Sequence, residues 1–114
     1  MEDVTSEIKK IKNSKKYKDI KKSLLKALRD NGSETEFYVD LIDDYMNLYI
    51  NKTLLFKDIE KRGVIVEYDN GGGQKGSRKN DSVAEHYKTN EKMTNLLSKL
   101  GIDPSKNGGD DVEL

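Results

Sequence analysis

Between two segments patterned as helices the chain carries Asp69-Asn70-Gly71-Gly72-Gly73-Gln74-Lys75-Gly76-Ser77-Arg78-Lys79-Asn80, and no other stretch restricts the fold as strongly. Four glycines within six residues make any regular element entropically expensive, so the stretch reads as loop. Just before it, Val64-Ile65-Val66-Glu67-Tyr68 is β-branched and alternating, which suits a short extended run. Gly63 ahead of that run fits a left-handed helix cap. The connector from Gly63 to Asp81 therefore turns the chain back either as a flexible loop or as a short β-hairpin. In both cases the expected class is all-α, with an antiparallel helical hairpin over about 34–62 and 82–100.

The first arm of that hairpin has a broad apolar stripe. Written in sevens, one position holds Tyr38, Tyr45, Lys52 and Ile59, a second Leu41, Leu48 and Leu55, and a third Ile42, Tyr49 and Phe56. Three apolar positions in seven suit burial against more than one neighbour, so Tyr45, Leu48, Tyr49, Leu55 and Phe56 are expected to pack the hairpin and extend into a subunit interface. Ser33-Glu34-Thr35-Glu36 reads as a capping box at the start of this helix, and Arg62-Gly63 as its end. Ser82-Val83-Ala84-Glu85 reads as a second capping box for the last helix. Its apolar face is expected to be Val83, Tyr87, Met93, Leu96, Leu97 and Leu100, before Gly101 and Pro104 stop it.

Upstream, the apolar spacing of Tyr17, Ile20, Leu24, Leu25 and Leu28 predicts a helix from about Lys15 to Asp30, closed by Asn31-Gly32, with a looser helical piece before Ser14. Charge matters here, because the neutral total of the chain conceals an uneven distribution. Residues 1–30 contain ten Lys and Arg against five Asp and Glu, whereas residues 101–114 contain one Lys against four acids. With 114 residues the chain has room for one domain: residues 1–104, comprising a basic arm (1–32) and the hairpin (33–104), followed by a flexible acidic tail (105–114). Hydrophobic residues make up 33% and charged residues 37%, a thin apolar set that favours helices and burial shared between subunits.

Catalytic chemistry finds little support. A nucleotide loop requires Gly-Lys followed directly by Ser or Thr at a helix start, whereas the order here is Lys75-Gly76-Ser77, well before the helix. With one histidine, His86, and no cysteine, neither a His/Cys metal site nor a Cys/His nucleophile pair can be assembled. Asp40, Asp43 and Asp44 cluster, but on a helix face solvation is the simpler reading. No cofactor is expected. The start Met1-Glu2-Asp3 lacks a signal-peptide pattern and no apolar run is long enough for a membrane span, so a cytoplasmic protein is expected.

Nucleic-acid binding has better support. Lys9, Lys10, Lys12, Lys15, Lys16, Lys18, Lys21 and Lys22, with Tyr17 among them, form a basic arm suited to releasing counterions from phosphates. Lysine dominates over arginine, which favours backbone attraction over base reading. Lys75, Arg78 and Lys79 form a second, smaller basic spot. Each group fits DNA contact or plain solubility.

From Tyr38 to Pro104 the chain resembles the small subunit of tailed-phage terminases, in the compact group with a glycine-rich connector. The resemblance rests on Tyr38-Val39-Asp40-Leu41-Ile42-Asp43-Asp44-Tyr45-Met46, Asp58-Ile59-Glu60-Lys61-Arg62-Gly63-Val64, Gly71-Gly72-Gly73-Gln74, Lys79-Asn80-Asp81-Ser82 and Leu96-Leu97-Ser98-Lys99-Leu100-Gly101-Ile102, in that order. It implies a non-catalytic protein that binds phage double-stranded DNA in the cytoplasm of the bacterial host. It also implies a homo-oligomeric ring that regulates or loads a large subunit bearing the ATPase and nuclease, with the acidic tail available to dock that partner. Two other readings share the helical class: a dimeric phage-type transcription regulator, and a structural adaptor without DNA affinity.

Overall fold

The computed structural model describes residues 4–69 and 71–103. The lysine-rich region forms two helices, α1 (Val4–Asn13) and α2 (Lys15–Asp30). Ser14 separates them: its hydroxyl accepts from the Tyr17 N–H at 3.2 Å and donates to the Ile11 carbonyl at 2.7 Å. One side chain thus caps the start of α2 and bonds the end of α1. The looser piece expected before Ser14 is a helix in its own right, anchored by the buried Ile11.

The long helix α3 (Glu36–Arg62) begins later than its sequence suggests. Its N-cap is Thr35, with no side-chain capping bond, so the Ser33–Glu36 capping box does not form. The reason lies in the preceding turn. Gly32, at φ +70°, lets the Ser33 N–H reach back to the Leu28 carbonyl at 2.9 Å, and Ser33 closes α2 instead of opening α3.

Strands β1 (Ile65–Asp69) and β2 (Lys75–Lys79) pair antiparallel, with Ile65 opposite Lys79 and Asp69 opposite Lys75. The connector is therefore a β-hairpin, and the reading of residues 69–80 as loop throughout is corrected. Two glycine roles make this possible. Gly71, Gly72 and Gly73 all take positive φ, which a side chain would oppose, so they turn the chain. Gly76 lies opposite Tyr68, and a Cβ there would come within 2.5 Å of the tyrosine hydroxyl; the aromatic ring occupies the space a side chain would need.

The last helix, α4 (Asp81–Lys99), runs antiparallel to α3, as shown by Lys52 reaching Asn90 at 3.0 Å and Phe56 reaching His86 at 5.6 Å between ring centroids. Its N-cap is Asn80 rather than Ser82, so the second capping box is also corrected. At the other end Gly101 turns left-handed and buries Ile102 against the fold.

The core joins α2, α3 and the end of α4. Leu24, Ala27, Leu28, Ile42, Met46, Leu100 and Ile102 form one buried cluster, against which Tyr45 and Tyr49 pack half-buried. On α3 the fully buried residues Ile42, Met46 and Ile50 follow a step of four, so Met46 and Ile50 replace part of the seam as written in sevens. Each step of four advances about 40° around a helix of 3.6 residues per turn, so the buried line slants across α3 instead of following the seam. Leu48 and Leu55 are half-buried and Phe56 is exposed. Lys52, the break in the seam, sits half-buried and donates to Asn90. On α4 the expected face shifts as well: Val83 and Tyr87 are exposed, while Thr89 and Met93 are buried. The acidic tail expected over 105–114 lies outside the described residues.

Candidate nucleic-acid interface

Helix periodicity decides which lysines of the arm act together. Lys15, Lys18 and Lys22 recur at steps of three and four and line one open groove on α2 with Lys21, Tyr17, Asn13 and Leu25. Lys15, Lys18 and Lys22 are exposed, and Lys21 is half-buried. Tyr17 supplies the floor, tilted against Tyr49 with ring centroids 6.0 Å apart.

Two of these cations already face carboxylates. Lys15 bonds Asp19 one turn later at 2.8 Å, and this hydrogen bond, with the charge attraction behind it, raises the Lys15 pKa further above neutrality. Lys21 reaches Asp43 of α3 at 3.6 Å. Exposed pairs of this sort are screened by solvent, contribute little to stability and exchange readily with another anion.

Lys9, Lys10 and Lys12 lie exposed on α1, and Lys16 on α2 outside that groove. Lys75, Arg78 and Lys79 lie on β2, past the far end of α3, a helix about 40 Å long at 1.5 Å per residue. The two basic regions are thus separate surfaces. Alternation along β2 further splits the smaller one, placing Lys75 and Lys79 on one face of the hairpin and Arg78 on the other.

The structure also gives roles to residues that sequence reasoning left without one. Asp58 accepts two bonds from Arg62, both at 2.7 Å, within a single turn at the end of α3. Asn80 is inserted beside this pair and is only 1% exposed. Its amide oxygen accepts from Arg62 at 3.1 Å and from the Ser82 N–H at 2.9 Å. Its amide nitrogen donates to Asp58 at 3.1 Å and to the Gly63 carbonyl at 2.9 Å. The Ser82 hydroxyl donates to Asp58 at 2.7 Å. All four bonding positions of the Asn80 amide are therefore used, and the end of α3, both ends of the β-hairpin and the start of α4 are clasped together.

These bonds have an electrostatic consequence. The Arg62 hydrogen bonds, followed by that from Ser82, hold the Asp58 carboxyl well below the usual carboxylate range, and Asp58 in turn raises the Arg62 pKa. The sequence signal was the Asp58–Arg62 spacing of four together with an asparagine directly before a helix.

Among the described residues no group of three or more His, Cys, Asp or Glu is placed to hold a metal ion, and no helix is long and apolar enough to cross a membrane.

Comparison with curated proteins and with solved structures returns no match. The family model described as phage terminase, small subunit, matches residues 18–109. The matched stretch takes in most of α2 as well as the hairpin, and Asp58, Arg62, Asn80 and Ser82 lie within it. The chain belongs to the phage terminase small-subunit family.

Proposed function

We propose that this small terminase subunit binds phage double-stranded DNA through its lysine-rich helices, assembles as a homo-oligomeric ring, and regulates or loads the large ATPase and nuclease subunit in the cytoplasm of the bacterial host. The observation carrying this reading is the α2 groove, where Lys15, Lys18, Lys21 and Lys22 gather around Tyr17 on a face not covered by the core. Lysines on successive turns present point charges at the spacing of a rigid helix. Phosphates that they neutralise release condensed counterions whatever the base sequence. The groove thus serves attachment, and its chemistry needs no base contact.

Salt titration of DNA binding tests the reading. The triple variant Lys15→Glu, Lys18→Glu and Lys22→Glu is expected to lower affinity and to flatten the dependence of log K on log salt by roughly 0.9 for each phosphate that is no longer neutralised. An unchanged slope removes the α2 groove from DNA binding. Neutralising Lys75, Arg78 and Lys79 to Gln measures the contribution of the β-hairpin separately, and full affinity in that variant confines DNA to the helices. Absence of retention on DNA at low salt would favour the adaptor reading. Light scattering at tens of micromolar tests assembly: a monomer rejects the ring, and a dimer with a half-site footprint favours a regulator.

A further inference from the structure

The two ends of α3 carry exposed apolar features bordered by opposite charge. Past its C-terminal end, Val64 and Ile65 combine with Val83, Ala84 and Tyr87 of α4 to line a groove of about 680 Å³. Tyr87 is 71% exposed and Val64 58%. Lys79 and Lys88 also line this groove; its single acid, Asp81, has Arg78 at 3.9 Å and Lys88 has Glu85 at 3.7 Å, so that Lys79, Lys88 and Arg78 outnumber the two carboxylates at the border. The surface is preformed, because the Asn80 clasp holds α3, the hairpin and α4 in place directly beneath it.

At the N-terminal end of α3 stands Phe37, 65% exposed and stacked on Tyr38 with ring centroids 4.7 Å apart. The stacking limits the rotamers of an aromatic side chain that already loses little entropy on docking. Asp40 and Asp44, at three and seven residues beyond Phe37, lie exposed on the same helix face. An apolar knob with an acidic border thus stands at one end of the helix, and an apolar groove with a basic border at the other.

We propose that Phe37 of one copy seats in the Val64, Ile65, Val83 and Tyr87 groove of a second copy, with Asp40 and Asp44 facing Lys79 and Lys88. The contact cannot close within one chain, since residues 38–62 of α3, roughly 38 Å of rigid helix at 1.5 Å per residue, lie between Phe37 and the groove. It is heterologous, using each surface once per copy, and such contacts propagate from copy to copy, closing into a ring where the rotation between copies allows it and extending as a filament where it does not. The proposal rests on the reading of the chain as a self-assembling subunit and specifies the surfaces that assemble.

The test uses full-length chains and native mass by light scattering. Phe37→Asp destroys the knob and leaves the groove, and Tyr87→Asp does the converse. Each variant alone is expected to be monomeric, whereas an equimolar mixture forms a one-to-one dimer that grows no further, because each partner retains one intact half. Retention of the wild-type assembly by either variant, or a mixture that stays monomeric at hundreds of micromolar, overturns the contact. Charge reversal provides an independent arm: Asp40→Lys with Asp44→Lys, or Lys79→Asp with Lys88→Asp, lowers the assembled fraction, and all four together restore it. Failure of that restoration also overturns the proposal. A wild-type chain that is itself monomeric overturns the assembly reading as well, so the two failures are distinguishable.

Discussion

The two ends of the helical hairpin are held together by different physics. Where α2, α3 and the end of α4 meet, burial is apolar: Leu28 and Ile42 are inaccessible to solvent and Met46 nearly so. Toward the β-hairpin, among the described residues from 51 to 88, the only buried side chain is Asn80. Of the eight exposed large hydrophobics among the described residues, six, Phe56, Val64, Ile65, Tyr68, Val83 and Tyr87, lie in that same span. A two-stranded hairpin has too little apolar surface of its own to make a core, and is marginal in isolation. The distal end therefore gains much of its order from a saturated hydrogen-bond network: Leu54, Leu55, Ile59 and Val66 are only half-buried, and those six large apolar side chains face outward. Such an arrangement has a shape before it has a partner.

The largest effect is expected where burial is apolar. Leu28→Ala should cost about 2–5 kcal/mol in urea unfolding, the range for deleting a large aliphatic side chain from a close-packed site. A loss below about 1 kcal/mol would mean that the core end is not what holds the chain together.

Asn80→Ala should cost less, about 1–3 kcal/mol, by removing the α4 cap and leaving bonding groups of Gly63 and Arg62 without their partner. The location of the change is the sharper test. Amide exchange should accelerate over 65–69 and 75–79 while Leu24–Leu28 and Ile42–Met46 stay protected, because local opening is available only to the end without an apolar core. Uniform acceleration would contradict the division into two ends.

Acid should act in the same place and more weakly. The folded Asp58 carboxyl titrates below its unfolded counterpart, near 3.9, so the unfolded chain binds more protons as pH falls and stability falls with it. The contribution from the clasp is complete above about pH 4 and declines below it. Asp58→Asn should remove that part of the decline, read as hairpin amide exchange between pH 5 and pH 2. An identical acid profile in the variant would assign the effect to other carboxylates.

Legibility in the sequence follows the same division. The α2 boundaries, the end of α3 at Arg62 and the stop of α4 before Gly101 were readable because caps and apolar periodicity act within a few residues of each other. The clasp was not, since Asp58 and Asn80 are 22 residues apart and their bond depends on the hairpin bringing them together. Strand β2 was hidden for a related reason. Lys75-Gly76-Ser77-Arg78-Lys79 has almost no β propensity, and its partner β1 together with Tyr68 over Gly76 supplies what the sequence lacks. Ser33 and Ser82 misled in a third way, because a serine followed by glutamate is a local signal that a competing bond can override. Ser33 is drawn into the end of α2 and Ser82 into the clasp. The α2 groove was legible in part: the sequence shows a lysine run, and only the folded register singles out Lys15, Lys18, Lys21 and Lys22 from their neighbours.

The smallest effect should come from Val83→Ser and Tyr87→Ser, which sequence periodicity assigns to the core of α4. Both side chains are exposed in the folded chain, so their replacement removes little burial and should change unfolding free energy by no more than about 0.5 kcal/mol in dilute protein. The same substitutions made at Met93 or Leu100, which are buried, should be costly. A serine at Tyr87 that proved as destabilising as one at Met93 would show that the distal end holds an apolar core after all. A serine that is neutral in dilute protein but destabilising at high concentration would instead show that this surface is buried only between copies, because association stabilises the folded form by mass action.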